Sequence, residues 1–512
     1  MTLTQWFIFF LIVQVVHFAG TWKLYEAAGR KRWEAAVPVY NAIVLMKIIN
    51  RPTWWTILLF VPIVNLIMFP VVWVETLRSF GKYSTADTWL AIFTLGLYIY
   101  YVNYTQKLTY VTDRSLIPRS KTGDTISSLL FAVVVATMVH TYIMQPFTIP
   151  TSSLEKSLLV GDFLFVSKFH YGARTPMTTV AAPMVHDTIP GLNVKSYSKW
   201  PQLPYFRFPG VEKIENNDIV VFNWPADTVR QFFKAEQRVD KPIDKKSNYV
   251  KRCVAIPGDS LKIVDGDVYI NNKKMIFPDR AKPQWSTWVF TDGKTPIDFE
   301  FLIKDMDITD GVAYVSKDRD SILFSAMTDE NAARFRNVPG VKSVVKRISP
   351  VGVFERVFPD GKGNGDQFGP IYIPQEGKTV ALDTRVLPYY KKIITEYEHN
   401  TLQVNGDEIR INGKPATSYT FKQNYYWMMG DNRHRSEDSR YWGYVPEDHI
   451  VGKPVFIWFS WDGINKKVRW DRLFTTVHGN GERVSYFKFF LILLGAYFVF
   501  DYFRKKKAAK EE

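Results

Sequence analysis

The stretch FTIPTSSLEKSLLVGD, residues 147–162, follows a long apolar run and places several hydroxyls around one lysine, Lys156. A serine or threonine hydroxyl reacts as a nucleophile only when a neighbouring base removes its proton. The position of this stretch predicts that the chain changes here from a membrane-spanning helix to a domain outside the membrane. It also raises two questions, namely which hydroxyl could react and which amine could serve as its base.

The bulk composition favours a membrane protein. The chain has 512 residues, 46% of them hydrophobic, and a formal net charge of +15. Such a charge suits nucleic acid or an anionic membrane surface. The apolar segments described next favour the membrane, so we expect no nucleic-acid partner. The single cysteine, Cys253, excludes an internal disulfide and tight metal binding through thiolates.

Several segments are apolar over about the 20 residues that a helix needs to cross a bilayer. The five predicted spans are residues 4–21, 54–76, 87–104, 126–147 and 485–503. The first lacks the basic start and small-residue end of a cleaved signal, so we expect it to be retained. Prolines inside the second predict a kinked span.

Basic residues between these spans predict the orientation of the chain. They concentrate in loops 22–53 and 105–125 and in the C-terminal tail, whereas loop 77–86 has only two. Five spans with the N-terminus outside the cytoplasm place all three basic segments in the cytoplasm. The same count places residues 148–484 outside.

Residues 148–484 are typical of a mostly-β domain, because short apolar or alternating runs recur between turn signals. The dipeptides that predict hairpins are Asp265-Gly266, Asn405-Gly406 and Asn412-Gly413. Residues 306–350 differ from this pattern. Their strand-like runs flank TDENAARFRNV, which predicts a helix, so we expect an inserted α/β lobe there. Another helix is expected at residues 383–398.

Two histidines and two lysines are candidates for the base. Histidine is the usual base, and only His170 and His434 lie in stretches rich in other reactive groups. Lysine can replace histidine when burial lowers its pKa from about 10.4. Lys156 follows Ser153 with the S-x-x-K spacing of penicillin-binding enzymes, but no K-T-G motif follows downstream.

The residues around each lysine also allow a purely structural role. Ser152 and Glu155 have the spacing of a helix capping box, so we expect Lys156 to be solvated. The other lysine, Lys251, lies in NYVKRCVAIPGD, residues 248–259, with Tyr249 and Cys253 on its face of a predicted strand. From this pattern alone, Lys251 is equally a poorly solvated base or an edge lysine that reaches water.

Four blocks in order resemble type I signal peptidases (leader peptidases). The blocks are residues 147–172, with IPTSSLEKSLLVGD, 214–225, 248–260, with KRCVAIPGD, and 427–453, with MMGDNRHRSEDSRYWGYVPEDHIVGK. Residues 1–120 only loosely resemble a small polytopic domain that is sometimes fused to these enzymes.

The resemblance implies that Ser153 is the nucleophile and Lys251 its general base. It implies an oxyanion-hole hydroxyl at Thr151 and a lysine-orienting hydroxyl at Ser436. The residues implied to support the site are Gly430, Asp431, Asn432, Arg433, Asp438 and Arg440. Our candidates for the wall of the substrate pocket are Ile149, Pro150, Leu154, Leu158, Tyr249 and Val250. The departures from the family pattern are Ser152 for the usual glycine, Leu154 for a common methionine and Lys156 for a common proline.

The predicted fold class is a multi-pass α-helical membrane domain joined to a mostly-β exported catalytic domain, of the signal peptidase type, with an inserted α/β lobe. The expected segments are 1–125, the polytopic membrane domain; 126–147, the anchor; 148–260 and 422–484, the catalytic β core; 261–421, the inserted lobe; and 485–512, the last span with a basic tail.

The function expected from the resemblance is that of a membrane-bound endopeptidase, which removes signal peptides from exported preproteins without a cofactor or metal. It would cut after small residues at positions −1 and −3. The expected partners are preproteins, the lipid bilayer and the protein export machinery. The expected location is the bacterial plasma (inner) membrane, with the catalytic domain on the periplasmic face and the C-terminus in the cytoplasm. The alternatives are a catalytically silent receptor or scaffold and an autocleaving regulator, against which five spans argue.

Overall fold

The computed structural model describes residues 1–229 and 238–511. These residues group into two units. The first unit comprises residues 1–143, 173–208 and 228–246, and the second comprises residues 144–172, 209–227 and 247 to the C-terminus.

The first unit is built mainly from helices. Their bounds are Leu3–Ala27, Tyr40–Ile48, Trp55–Leu58, Val64–Ser79, Thr85–Phe93, Tyr98–Thr105 and Lys121–Met138, with short turns at Arg32–Ala35 and Ile243–Lys245. A π-helical turn, Val139–Ile143, extends the last long helix. Within the described part of the chain, two helices are long and apolar enough to cross a membrane, Leu3–Ala27 and Lys121–Ile143.

The predicted spans 54–76 and 87–104 are not continuous helices. The first is interrupted before Val64–Ser79 by Ile63, which has a left-handed φ of 70°. The second is interrupted at Leu95 and Gly96, which have φ angles of 51° and 85°. Left-handed backbone cannot continue a right-handed helix. The prediction of five uninterrupted spans is therefore wrong for these two segments, and the multi-pass topology and its orientation stay predictions.

The ends of the other two predicted spans also differ from the structure. The anchor helix stops at Ile143, and residues 144–147 belong to the strand Met144–Thr148. Pro146 lies in this strand, where the edge position of the strand in its sheet tolerates a residue without an N–H. Near the C-terminus, the helix Phe487–Glu511 is long and exposed but carries charged residues along its length.

A nine-stranded antiparallel sheet forms the centre of the second unit. Its path, in spatial order, is Met144–Thr148, Asp162–Ser167, Ile450–Asp462, Ile219–Asn223, Asn248–Ala255, Tyr425–Met429 and Val445–Pro446. The short strands Lys467–Val468 and Thr475–Thr476 pair with Ile450–Asp462. The sheet brings together strands from the four sequence blocks, which confirms the mostly-β prediction.

Three smaller sheets carry the predicted hairpins. The first contains Phe368–Tyr372, Ser260–Val264, Asp267–Ile270 and Lys273–Lys274, the second Thr379–Ala381 and Ser418–Thr420, and the third Leu402–Asn405, Glu408–Ile411 and Lys414–Pro415. Asp265 and Gly266 have the positive φ angles that a two-residue turn requires. The expected helix at 383–398 is present as Leu387–Lys392 with a π-helical turn, Ile393–Tyr397.

A fourth sheet forms what we call the lobe, residues 284–346. Its strands, in spatial order, are Val341–Lys346, Gln284–Thr291, Ser321–Thr328 and Val312–Val315, and its helices are Phe299–Lys304 and Asp329–Phe335. The strands and the helix predicted within 306–350 are confirmed. The central strand of the lobe, Gln284–Thr291, and the helix Phe299–Lys304 were not predicted.

Candidate active site

Ser153 lies on a short turn between two neighbouring strands of the central sheet. A single 3₁₀ turn, Ser152–Leu154, follows the strand Met144–Thr148. We call residues 151–157 the serine turn. The 3₁₀ turn has no side-chain cap, so the predicted capping box of Ser152 and Glu155 is wrong. Glu155 instead accepts a hydrogen bond from the Val160 N–H, and burial raises the Glu155 pKa to about 7.

Lys251 reaches Ser153 from the strand Asn248–Ala255. Its Nζ lies 2.5 Å from the Ser153 Oγ, and its side chain is only 4% exposed. Burial lowers the Lys251 pKa to about 8, although the charges of Asp438 and Glu437 raise it. The predicted flanking of the amine by Tyr249 is confirmed, with Nζ 5.4 Å from the centre of that ring. Of the two readings of Lys251, the structure therefore supports the poorly solvated amine.

Lys156 points away from this pair. Its Nζ lies 2.8 Å from Asp307 Oδ2 and donates to Thr309 Oγ1 at 3.1 Å. Its side chain is only 9% exposed, so the prediction of a solvated Lys156 is wrong. The reason is a loop of the lobe, distant in sequence, that covers the amine.

The two candidate histidines have other partners. His434 accepts a hydrogen bond from the Ser286 N–H through Nδ1, and its Nε2 lies 2.9 Å from Asp366. His170 shares a hydrogen bond with Ser167. Both histidines therefore act here as structural groups.

Gly430 allows the backbone to approach Ser153 closely. A Cβ at this position would lie 2.6 Å from the Ser153 carbonyl oxygen and would also clash with the Ser436 side chain. The Ser436 Oγ is buried and has no hydrogen-bond partner in the described part of the chain, so the expected bond from Ser436 to Lys251 is not formed in this structure. Thr151 is exposed at the start of the serine turn.

Asp431 and Asn432 hold the serine turn through direct bonds. The Asn432 N–H donates to the Ser153 carbonyl at 3.0 Å. Asp431 accepts from the Ser157 Oγ at 2.5 Å and from Arg252 Nε and Nη2 at 2.8 and 2.6 Å. Burial alone would raise the Asp431 pKa, but the Arg252 charge and hydrogen bonds lower it below its usual range. The pair therefore remains charged in the interior.

Asp438 and Arg440 form a second buried ion pair. Arg440 Nε and Nη2 donate to the two oxygens of Asp438, each at 2.9 Å, and Asp438 also accepts the Gly430 N–H at 3.0 Å. Arg440 further donates to the Arg433 carbonyl at 2.5 Å. Burial lowers the Arg433 pKa to about 10, and its guanidinium lies 5.4 Å from the centre of the Phe277 ring. The structure thus brings all six predicted support residues around Ser153 and Lys251.

The predicted pocket residues divide between core and surface. Ile149, Leu154 and Leu158 form one buried hydrophobic cluster, against which Val250 packs. Leu158 is fully buried, so it can support a pocket wall only from behind. The other two do not join this cluster, since Pro150 is exposed and Tyr249 stacks on Trp224 with ring centres 5.0 Å apart.

Three residues at the site were missed in the sequence. Arg252 and Ser157 both bond to Asp431, and Asp310 accepts a hydrogen bond from Asn432 Nδ2 at 2.9 Å. A charged residue next to Lys251 in a buried strand signals a buried partner, so Arg252 could have been found. No local pattern marks Asp310, which is 122 residues from Asn432.

Comparison with known proteins gives two family matches. Residues 122–321 and 376–461, together more than half of the chain, match the family described as "Signal peptidase, peptidase S26". Residues 33–113 match a family of unknown function, DUF5684.

Curated relatives agree with the first match. A protein named Signal peptidase I from Buchnera aphidicola subsp. Schizaphis graminum is 25% identical over 66% of this chain and 75% of its own length. Proteins of the same name from Rickettsia akari and Rickettsia canadensis are 23% and 24% identical, over 67% and 70% of this chain and 80% and 96% of their lengths.

These matches and the site define the class of protein as a serine endopeptidase, a hydrolase of peptide bonds. The chain belongs to the signal peptidase family, peptidase S26. The alternatives of a silent scaffold and of a soluble-type regulator lose their basis with this assignment.

Proposed function

We propose that this protein removes N-terminal signal peptides from exported preproteins, with Ser153 as the nucleophile and Lys251 as the general base. The observation that carries this proposal is the 2.5 Å contact between Lys251 Nζ and Ser153 Oγ. The lowered Lys251 pKa supports it, because about a tenth of the molecules would hold a neutral amine at pH 7. The relatives named Signal peptidase I support the choice of substrate.

In the proposed reaction, neutral Lys251 takes the Ser153 proton as Oγ attacks the scissile carbonyl carbon. The Ser153 N–H, with the Thr151 hydroxyl, would stabilise the oxyanion, and donors of this kind contribute about 3–4 kcal/mol. Protonated Lys251 then gives its proton to the leaving amine as the peptide bond breaks. Water, deprotonated by the same lysine, attacks the acyl-enzyme ester and releases the signal peptide and free Ser153.

The proposed specificity is for small residues at positions −1 and −3 of the signal peptide. The hydrophobic cluster beneath the serine turn would form the base of a shallow apolar pocket that excludes larger side chains by size. An extended substrate would bind as an added strand at a sheet edge, where main-chain hydrogen bonds give affinity and side-chain pockets give specificity.

We also propose that the protein acts at the bacterial plasma membrane, on its periplasmic face. Ser153 follows the apolar helix that ends at Ile143 by ten residues. A signal peptide is cleaved just after its own apolar helix, so both reacting groups would be confined to the same interface. Such confinement raises their effective concentration without any new contact. Preproteins, lipid and the export machinery are the proposed partners.

The test is incubation of the purified protein with a preprotein, followed by sequencing of the new N-terminus. We expect cleavage after a small residue at the end of the signal peptide. Ser153→Ala and Lys251→Ala should each reduce kcat by about 10⁴-fold or more, as removal of a serine nucleophile or its base does elsewhere. Retained cleavage in both variants would exclude the proposed pair.

The matched controls are a serine and a lysine from a smaller sheet of the same unit. Ser260 and Lys273 are both exposed, and Ser260→Ala and Lys273→Ala should keep the wild-type rate. Loss of activity in these controls would mean that the assay reports general damage to the fold.

A further inference from the structure

A loop of the lobe contacts the serine turn on both sides of Ser153. We call residues 305–310 the brace loop. On one side, Asp310 accepts a hydrogen bond from the Ser152 hydroxyl. On the other side, Asp307 lies 2.8 Å from Lys156 Nζ, and Thr309 accepts from the same amine at 3.1 Å.

The brace loop also holds the turn that supports Ser153 from below. Asn432 Nδ2 donates both to the Asp310 carboxylate at 2.9 Å and to the Ser152 carbonyl at 3.2 Å. Arg435 Nη1 donates to the Asp310 carbonyl at 2.7 Å. The Asp310 side chain is only 9% exposed. It therefore links the two segments that fix the Ser153 backbone.

We propose that the lobe positions Ser153 for reaction through Asp310 and through the ion pair of Asp307 with Lys156. These are positioning residues, since none of them touches the reacting atoms. The inference deepens the proposed function, because it assumes that Ser153 is the nucleophile. It gives the inserted lobe a part in catalysis.

The conformation of Lys156 supports this role. Lys156 has a left-handed φ of 70°, which is unfavourable for a residue with a side chain. Its contacts with Asp307 and Thr309 hold it in this conformation. Ser152 and Lys156, through which the brace loop reaches the turn, are also two of the positions at which the motif departs from the family pattern. The departures and the loop thus form one structural feature.

The brace loop is itself fixed by the rest of the lobe. Met306 and Ile308 are buried in the lobe core together with Phe335. Asn331 Nδ2 donates to the Met306 carbonyl at 2.7 Å, and Arg334 donates to the Asp305 carbonyl at 3.0 Å.

The residues that fix the loop lie in a segment specific to this chain. Asn331, Arg334 and Phe335 fall within residues 322–375, where the family match is interrupted. The position of the serine turn therefore depends on residues that the family match does not include.

The first test is the variant Asp310→Asn, which keeps the size of the side chain but removes its charge. A small displacement of a nucleophile reduces the rate strongly, so we expect kcat to fall by about tenfold or more. The KM should stay unchanged, because substrate binding does not involve Asp310. The pH at which the rate is half-maximal should also stay unchanged, because Lys251 is not altered. The matched control is Asp305→Asn, an exposed aspartate of the same loop, which should keep the wild-type kcat.

A charge exchange keeps the test decisive if Asp310→Asn does not fold. Lys156→Asp and Asp307→Lys should each reduce kcat, and the double variant, which restores an ion pair of opposite sense, should recover most of it. Wild-type kcat in Asp310→Asn and in both single exchanges would overturn the inference, as would a double variant no better than the singles.

The two proposals fail in different ways. If Ser153→Ala still cleaves the preprotein, the proposed function is wrong, whatever the lobe variants do. If Ser153→Ala is inactive while the Asp310 and Asp307 variants keep the wild-type kcat, only the positioning role is wrong.

Discussion

The strand Asn248–Ala255 carries two buried cations on opposite faces, and their surroundings differ. Lys251 faces Ser153, and its pKa is lowered to about 8 because burial outweighs the attraction of Asp438 and Glu437. Arg252 faces the other way and donates two hydrogen bonds to the Asp431 carboxylate. A buried cation without a bonded carboxylate becomes a potential base, whereas one with a bidentate partner keeps its charge and holds structure.

The largest expected effect on stability is on the Arg252 face. Arg252→Met removes one partner of a buried pair and leaves the Asp431 charge in an interior where it is 0% exposed. Loss of one partner of such a pair destabilises the fold by about 3–5 kcal/mol. We expect the free energy of unfolding of the detergent-solubilised protein to fall by this amount.

The control for this prediction removes both charges. The double variant Arg252→Met, Asp431→Leu leaves no unpaired charge and should recover part of the lost stability. If Arg252→Met were as stable as the wild type, the distinction between the two faces of the strand would not hold.

The second expected effect has the opposite sign. The Lys251 pKa is about 8 in the folded protein and about 10.5 in the unfolded chain, so the unfolded chain binds more protons between these values. Stability therefore rises with pH through this window, and below about pH 8 the buried amine destabilises the fold by about 3 kcal/mol. Lys251→Met, although inactive, should be more stable than the wild type at pH 7.

The pH dependence of this gain separates it from a simple packing effect. The advantage of Lys251→Met should shrink as the pH rises from 8 to 10.5, because the wild-type lysine is then neutral in both states. Thermal unfolding at several pH values measures it. A constant advantage, or none at pH 7, would contradict the lowered pKa.

The sequence predicted local features well and distant contacts poorly. Turn dipeptides such as Asp265-Gly266 predicted hairpins, because the required positive φ angles depend on the residues themselves. Alternation placed Lys251 and Arg252 on opposite faces. It could not reveal that Asp431 pairs with Arg252, since the two are 179 residues apart.

The helical unit illustrates a different limit. Hydropathy measures how apolar a segment is, but it does not detect a local reversal of the backbone. The left-handed residue Ile63 and the pair Leu95 and Gly96 break two apolar segments that hydropathy joins. A Cβ at Gly96 would lie 2.7 Å from the Trp73 ring, so packing between helices fixes this break.

The smallest expected effect is on the pH dependence of the reaction, and it tests the Lys251 face directly. Since only neutral Lys251 can accept the Ser153 proton, kcat/KM should rise about tenfold per pH unit up to about pH 8 and then level off. Glu437 is exposed, and its charge raises the Lys251 pKa. Glu437→Gln should therefore move the profile to lower pH, by no more than about 0.5 unit, and leave the plateau unchanged.

The control for this shift is a neighbouring acid that does not act on Lys251 in the same way. Glu447→Gln changes a side chain that bonds to Asn424, and its profile should overlay that of the wild type. A wild-type rate that stays flat down to about pH 5 would rule out a neutral amine as the base. A shift to higher pH in Glu437→Gln would mean that the exposed carboxylate does not stabilise the lysine charge, and the electrostatic account of the reactive face would then fail on its sign.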